Sequence, residues 1–268
     1  MSKFNTFDFN QAIPIINEDT EFFPLLSQQD EDEMRNEDIP EILAILPLRN
    51  TVLFPGVVIP ITVGRDKSIK LVKEAYKGEK TIGVVSQKDM SVEDPDFDQL
   101  NKIGTVASII KVLQMPDGNT TVIIQGKQRF KLNELVQSEP YIKAKVERFA
   151  EEKPKTSSKE FKALISSIKE LALQIIQLSP NLPSEAGIAI KNIESPTFLV
   201  NFISSNLALE LQAKQELLEM KDFVKRAKLL LEHLTMEVQM LELKNQIQNK
   251  VRIDLDKQIY KTFTGCFP

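Results

Sequence analysis

The hydrophobic pattern of the chain changes its period near residue 154, and this change limits the folds that the chain can adopt. Before that point, apolar residues alternate with polar ones, as in residues 141–149, or form short β-branched runs such as residues 57–63, and both patterns are typical of strands. After it, apolar residues recur at helical spacing, which is typical of amphipathic helices. We therefore expect an α+β fold, with a β-rich domain in residues 42–150 and a helical domain in residues 157–258.

A tight reversal is predicted at Phe54-Pro55-Gly56, between the first two strands. An apolar run at residues 42–46 precedes it, and the β-branched run at residues 57–63 follows it. Proline presets the φ of the second residue in a type II turn, and glycine tolerates the positive φ of the third. The two runs should therefore form strands that flank this corner.

The rest of the β-rich domain is predicted to contain one helix and several short strands. Ile69, Val72 and Tyr76 lie at helical spacing within residues 67–77, with lysines on the opposite face. Strand patterns occur at 81–86, 105–113, 120–125, 130–132 and 141–149. Residues 115–119 have the composition of a hairpin turn. Roughly six short, evenly spaced strands indicate a small barrel.

Start and stop signals divide the helical domain, which follows a predicted linker at residues 151–156. Serines favour the N-cap position and proline favours the first turn of a helix. The predicted helices begin at Ser157 or Ser158, at about Pro183, at Ser195-Pro196, at Leu207 and at Asp222. The first should end at Ser179-Pro180, and the last should run beyond Lys250 as a long C-terminal helix.

The last predicted helix carries apolar residues at alternating spacings of four and three, the pattern of a coiled-coil or bundle seam. The seam consists of Ala227, Leu231, Leu234, Val238 and Leu241. Such a helix is longer than the small bundle on which it would pack. Its far end, with Ile247, Val251 and Leu255, is therefore expected to project with apolar surface available to a partner chain.

Charge is distributed unevenly along the chain. Residues 1–41 carry eleven acidic and two basic side chains, a balance of −9, which leaves about +5 for residues 42–268 because the whole chain is at −4. High charge with low apolar density predicts that residues 1–41 are disordered in solution. Two apolar clusters in that segment could instead dock on a neighbour. A net charge this small in residues 42–268 is weak evidence for a nucleic-acid-binding surface.

The composition favours a protein of the reducing cytoplasm. No apolar run approaches the roughly 18 residues that a membrane span needs, and the first residues do not resemble a secretory signal. Cys266 is the only cysteine and His233 the only histidine, so no internal disulfide can form and metal sites have few ligands. We expect no membrane association, no metal and no cofactor.

The chain lacks recognisable catalytic motifs. Gly126-Lys127 is the only Gly-Lys pair, and it does not fit the phosphate-binding G-x-x-x-x-G-K-[ST] pattern. His233 lies in a leucine-rich helix, and Cys266 has no organised charged surroundings. Composition alone leaves a Ser-Lys pair open. We expect a chain that is not itself an enzyme.

Several motifs in a fixed order resemble the amino-terminal domain of Lon-type ATP-dependent proteases. They begin with P-L-R-N-x-V-x-F-P-G at residues 47–56 and Gly64-Arg65-Asp66-Lys67-Ser68-Ile69. They continue with Ile103-Gly104-Thr105-Val106-Ala107, Pro116-Asp117-Gly118 and Gln125-Gly126-Lys127-Gln128-Arg129-Phe130, and the resemblance covers roughly residues 42–257.

The resemblance implies a PUA-like pseudobarrel followed by a helical bundle. It also implies a role in protein quality control, as a substrate-recognition and oligomer-ordering domain that binds unfolded, damaged or degron-bearing polypeptides. Full-length members are cytoplasmic, hexameric, ATP-dependent serine endopeptidases, and their motor and catalytic serine and lysine lie outside the matched region. Residues 259–268 depart from the family pattern, so we expect a native truncation, a frameshift or an added tail there.

The candidate substrate-binding residues combine an apolar corner with charges at the start of the adjoining helix. They are Phe54, Pro55, Val57, Arg65, Asp66, Lys67 and Lys70. A proline turn tends to leave neighbouring side chains at the rim of a sheet, and the resemblance points to the same region. Two alternatives remain at this stage: Phe54 could be a core residue beneath the turn, and the chain could be a standalone PUA-like RNA-binding protein.

Overall fold

The computed structural model describes residues 28–115, 119–152, 158–179 and 184–264. Within these ranges the chain forms six strands and seven helices, with one short 3₁₀ turn at Phe97–Gln99. The strands are β1 (Ile42–Leu48), β2 (Val58–Val63), β3 (Thr81–Ser86), β4 (Ile103–Gln114), β5 (Thr120–Gln137) and β6 (Lys143–Arg148). The helices are α1 (Gln28–Asn36), α2 (Asp66–Lys77), α3 (Lys159–Leu178), α4 (Ser184–Asn192), α5 (Pro196–Asn206), α6 (Leu211–Glu219) and α7 (Phe223–Thr264).

The six strands form one mixed sheet that closes on itself. Their order is β2-β5-β4-β3-β1-β6, and β6 pairs with β5 as well as with β1. Only β1 and β3 run parallel, and the other pairs are antiparallel. Strand β5 can pair with three neighbours because it is 18 residues long and its ladders contain register shifts that allow it to bend. The predicted α+β fold, with a small barrel followed by helices, is confirmed.

Two of the sequence predictions for this half of the chain need correction. Residues 130–132 are not a separate strand but the middle of β5. Helix α1 lies within the acidic segment for which the sequence predicts disorder, so that prediction is wrong for residues 28–36, while residues 1–27 lie outside the described residues. The central turn residues of the predicted hairpin, 116–118, also lie outside them, although its strands β4 and β5 are confirmed.

The corner between β1 and β2 has the predicted type II geometry. Gly56 has a φ of 81°, and the Val57 amide donates to the carbonyl oxygen of Phe54 at 3.2 Å. A positive φ at the third position together with this hydrogen bond defines the turn.

Capping residues place the helix starts as predicted. Ser158 and Ser195 accept hydrogen bonds from the amides three residues on, and Asp222 accepts from Val224 and Lys225. Helix α6, however, begins at Leu211 rather than Leu207, because Leu207 is buried in an extended conformation at the end of α5. Helix α7 also continues past residue 258 to Thr264, so the backbone of residues 259–264 extends the long helix.

The first half of α7 packs on α3, and the second half extends beyond it. The buried seam is Ala227, Leu230, Leu234, Val238 and Leu241. Leu230 therefore replaces the predicted Leu231, which is half-buried. Past Leu241, the side chains of Leu243, Ile247 and Val251 are each more than half exposed, as the sequence predicts for the projecting end.

The β and helical halves share one hydrophobic core at their junction. Val52, Phe54, Val57 and Ile103 from the β half pack in the same cluster as the buried faces of the helices. Two further clusters fill the inside of the sheet and the space under α2. Among the described residues, none of the helices combines the length and apolar character that a membrane crossing requires.

Candidate functional site

The apolar corner at residues 54–57 is buried between the two halves. Phe54 is 0% exposed and Val57 is 4% exposed. Asn201 of α5 donates its side-chain amide to the carbonyl oxygen of Pro55 at 3.0 Å, and Thr105 donates its hydroxyl to that of Leu53 at 2.6 Å. The prediction that this corner leaves Phe54 and Val57 exposed is therefore wrong, and the alternative of a core residue holds.

Backbone hydrogen bonds to strand β5 allow the proline turn to be buried. The Gly56 amide donates to the carbonyl oxygen of Gly126 at 2.8 Å, and the Gly126 amide donates back to that of Val57 at 2.9 Å. A Cβ at position 126 would clash with the backbone of Phe54. Glycine at 126 thus lets the corner lie flat on β5, where the helical half covers it.

Arg65 anchors the start of helix α2 to the sheet. Its guanidinium donates to the side-chain oxygen of Gln87 at 2.8 Å and to the carbonyl oxygen of Pro47 at 3.5 Å. Burial lowers the pKa of Arg65. Arg65 therefore positions the start of α2 against the sheet.

Lys67 forms ion pairs that link α2 to the loop after β3 and to the β5–β6 connection. Its ammonium lies 2.9 Å from a carboxylate oxygen of Asp94 and 3.0 Å from one of Glu139. These hydrogen bonds raise the pKa of Lys67 to about 12. Asp66 and Lys70 are exposed on the same helix.

A groove of about 550 Å³, which we call the α2 groove, lies between α2, the loop after β3 and the β5–β6 connection. Its apolar lining includes Ile45, Leu71, Pro95, Phe97, Leu135 and Ile142. Its charged lining is Arg65, Lys67, Asp94, Asp96, Asp98 and Glu139. Because the carboxylates outnumber the cations, the groove combines apolar surface with a mildly acidic rim.

A second groove, of about 300 Å³, lies between the two halves and is called the interdomain groove. It is bounded by α1, the Pro55-Gly56 corner, β5, residues 148–151 and α5. It shares no lining residue with the α2 groove. The structure therefore separates the predicted candidates: Pro55 lines one groove, Arg65 and Lys67 line the other, and Asp66 and Lys70 line neither.

The sequence gives no prediction of the hydrogen bonds and the ion pair that connect the β and helical halves. Gln215 of α6 accepts from the Ser86 hydroxyl at 2.7 Å and donates to the carbonyl oxygen of Ile103 at 3.0 Å. The buried Arg226 of α7 lies 2.6 Å from a carboxylate oxygen of Glu151. One signal was available, because Arg226 precedes Leu230 and Leu234 at spacings of four and so lies on the apolar face of its helix.

Comparison with known sequences identifies one family. Residues 42–236 match the family model of the ATP-dependent protease La (LON) substrate-binding domain. The chain is 55% identical over 249 residues to the Lon protease of Flavobacterium johnsoniae, covering 93% of this chain and 30% of that protein. It is 52% identical over 241 residues to the Lon protease of Cytophaga hutchinsonii, covering 90% of this chain and 30% of that protein. The chain thus spans about 30% of the length of these relatives.

Solved structures show the same fold at lower sequence identity. The N-terminal domain of the Mycobacterium avium complex Lon protease superposes with a TM-score of 0.60 at 22% identity, covering 72% of this chain and 98% of that one. The Lon N-terminal domain protein from Xanthomonas campestris gives a TM-score of 0.51 at 18% identity, covering 71% and 97%. Since the family model covers most of the chain, the protein belongs to the LON substrate-binding domain family.

Proposed function

We propose that this chain is the non-catalytic substrate-recognition part of a cytoplasmic, ATP-dependent Lon-type serine protease that acts in protein quality control. It binds unfolded or degron-bearing polypeptides and presents them to motor and protease domains. The matched family and the relatives named above support this role. They do not favour the alternative, a standalone RNA-binding protein.

The α2 groove is the surface that best fits an unfolded polypeptide. Such a client offers apolar side chains and backbone groups, so its site should combine accessible apolar area with a few charges. Leu135 is 42% exposed at the side of this groove. The ion pairs of Lys67 with Asp94 and Glu139 hold the elements around it in place. This exposed leucine beside a mostly pre-formed groove is the observation that carries the proposal.

Two neighbouring residues of β5 provide a matched test. Leu135 lines the α2 groove, whereas Val136 is exposed to a similar extent but does not line it. Val136 lies at a register shift in the β5–β6 ladder, where the strand is irregular. We expect Leu135→Ser to weaken binding of an unfolded casein-like chain about tenfold, and Val136→Ser to leave it unchanged, in a fluorescence anisotropy titration. Equal affinities for the two variants and the parent chain would place the client elsewhere.

We also propose that the exposed face of α7, including its projecting end, helps to order a homo-oligomer, which is a hexamer in the full-length protein. Met236, Met240, Leu243, Ile247 and Val251 recur at spacings of four and three and are all more than half exposed. An apolar stripe of this kind suits pairing with another helix. We expect this chain to self-associate in sedimentation velocity, and Ile247→Glu to shift it toward monomer. An unchanged sedimentation coefficient would count against the stripe as a contact surface.

A further inference from the structure

The interdomain groove carries more positive than negative charge. Its described lining residues include four cations, Arg35, Lys127, Arg129 and Arg148, and two carboxylates, Glu31 and Glu151. Lys127 is paired with Glu37 at its edge. The remaining cations are arginines, whose planar guanidinium groups can bind an oxyanion through two parallel hydrogen bonds.

Part of the positive excess is buried. Arg129 is 4% exposed, and its Nη1 donates to the carbonyl oxygens of Leu218 and Met220, both at 2.7 Å. Its Nη2 is buried and has no hydrogen-bond partner among the described residues. The facing carboxylate oxygen of Glu151 lies 3.6 Å from Nη2, beyond hydrogen-bond distance. A buried donor without an acceptor is rare in folded proteins, and this Nη2 retains the capacity to donate to a ligand oxygen.

Glu151 cannot neutralise the arginines around it. Its other carboxylate oxygen lies 2.6 Å from Arg226, which is itself 1% exposed. Two buried guanidinium groups therefore share one carboxylate. Burial lowers the pKa of both Arg129 and Arg226, and the nearby charge of Arg35 adds a smaller lowering effect. An anion in the groove would reduce this mutual repulsion.

Arg35 and Arg148 face the groove without a carboxylate partner among the described residues. Within the part of the chain that the structure describes, Arg148 donates to neutral oxygens only: the side-chain oxygen of Gln128 and the backbone carbonyls of Arg35 and Glu37. The Arg35 guanidinium, which is half-buried on α1, makes no hydrogen bond or ion pair with any side chain that the structure describes. Arg35 is thus available to a ligand, and changing it should not disturb the fold.

We propose that the interdomain groove is an oxyanion site that takes a carboxylate of an extended polypeptide, from an acidic side chain or a chain terminus. The lining around the arginines is apolar at Met34, Pro55 and Phe149, which suits the carbon atoms next to such a carboxylate. The polypeptide source of the carboxylate rests on the proposed function, whereas the oxyanion chemistry does not.

A nucleic-acid phosphate fits the same groove less well. Single-stranded nucleic acids bind through bases that stack on aromatic faces. Among the described residues that line the groove, Phe149 is the one aromatic. Arg129 and Lys221 already lie over its ring, 5.2 Å and 4.9 Å from the centroid. The groove therefore has positive charge without a free stacking surface.

The test uses the full 268-residue chain and a short labelled peptide with one glutamate and an amidated C terminus. Its counterparts are the same peptide with glutamine, and the glutamine peptide with a free C-terminal carboxylate. We expect either carboxylate to bind about tenfold tighter than the neutral peptide by anisotropy, since a charge-assisted pair is about twice as strong as a neutral one. Arg35→Gln should remove most of this preference with an unchanged melting temperature. Arg252→Gln, the same change on the exposed end of α7, should keep it.

Other outcomes would overturn the inference. Equal affinity for the three peptides means that the groove does not select an oxyanion, and an equal loss in Arg252→Gln means that only net charge matters. Displacement of the glutamate peptide by single-stranded RNA at a lower concentration than by unlabelled peptide would assign the site to phosphate instead. If casein-like clients bind but the peptides show no carboxylate preference, this inference fails and the proposed function stands. If the preference is present but no client binds, the proposed function fails.

Discussion

Two neighbouring regions of the sequence, the apolar corner at residues 54–57 and the charged start of helix α2, lie in opposite environments in the structure. The sequence alone predicts that they form one surface. The corner faces inward, where the helical half covers Phe54 and Val57 completely or almost so. The start of α2 faces outward, where Lys67 pairs with Asp94 and Glu139 around a groove. The corner therefore holds the two halves together, while the start of α2 lies on the surface beside the α2 groove.

The largest expected effect comes from removing the side chain at the corner. Phe54→Ala should lower the free energy of unfolding by about 3–5 kcal/mol, because a fully buried aromatic leaves a cavity that the surroundings only partly fill. Urea denaturation followed by circular dichroism measures this loss. Because Phe54 lies in the core shared by both halves, the loss should appear in the unfolding of both.

Tyr76 on α2 provides the matched aromatic control. It is 37% exposed, so Tyr76→Ala should cost about 1 kcal/mol or less, in line with surface substitutions. A cost for Phe54→Ala no greater than that for Tyr76→Ala would mean that the corner is not a structural contact in solution. In that case the original interpretation of the corner as a client surface would return.

A smaller effect on stability is expected from two lysines, one partly buried and one on the surface. Lys214 of α6 is partly buried, and its ammonium donates to the carbonyl oxygen of Ser205 at 2.7 Å. Burial lowers its pKa to about 8. The unfolded chain, with an ordinary lysine pKa near 10.5, then binds more protons than the folded one between about pH 8 and 10.5. Stability should therefore rise with pH in this window, by about 2–3 kcal/mol in total.

Lys67 should behave in the opposite way. Its folded pKa is raised to about 12, so its stabilising contribution is complete below about pH 10.5 and is lost only as the pH rises through 12. Urea midpoints between pH 7 and 10 test the contrast: Lys214→Met should flatten the rise, and Lys67→Met should leave it unchanged. A rise that persists in Lys214→Met would show that this lysine is not the buried group responsible.

Local sequence signals were sufficient for most of the fold. The type II turn at Pro55-Gly56 and the caps at Ser158, Ser195 and Asp222 are decided by short-range backbone chemistry, which a single sequence contains. The change of hydrophobic period separates strands from helices for the same reason. Element boundaries such as the start of α6 depend on the burial of Leu207, which is a tertiary effect and was therefore missed.

The candidate site was less predictable because it depends on which surfaces meet. Phe54 looks the same in sequence whether a second domain covers it or not. The sequence marks Arg129 only as part of a motif. Its Nη2 has no hydrogen-bond partner among the described residues, and the nearest carboxylate, Glu151, is shared with Arg226, almost a hundred residues later. Long-range pairing of this kind has no local pattern.

The end of helix α7 gives this fold a mechanical property. The packed seam ends at Leu241, and the helix continues to Thr264. At 1.5 Å per residue the helix beyond Leu241 is about 35 Å long. Asn245, just past the seam, still donates to the carbonyl oxygen of Leu178 at the end of α3. A rotation of about 10° at its packed base would displace the tip by roughly 6 Å, which is more than one helical turn. Small shifts where α7 meets α3 are thus geometrically amplified toward whatever the far end contacts.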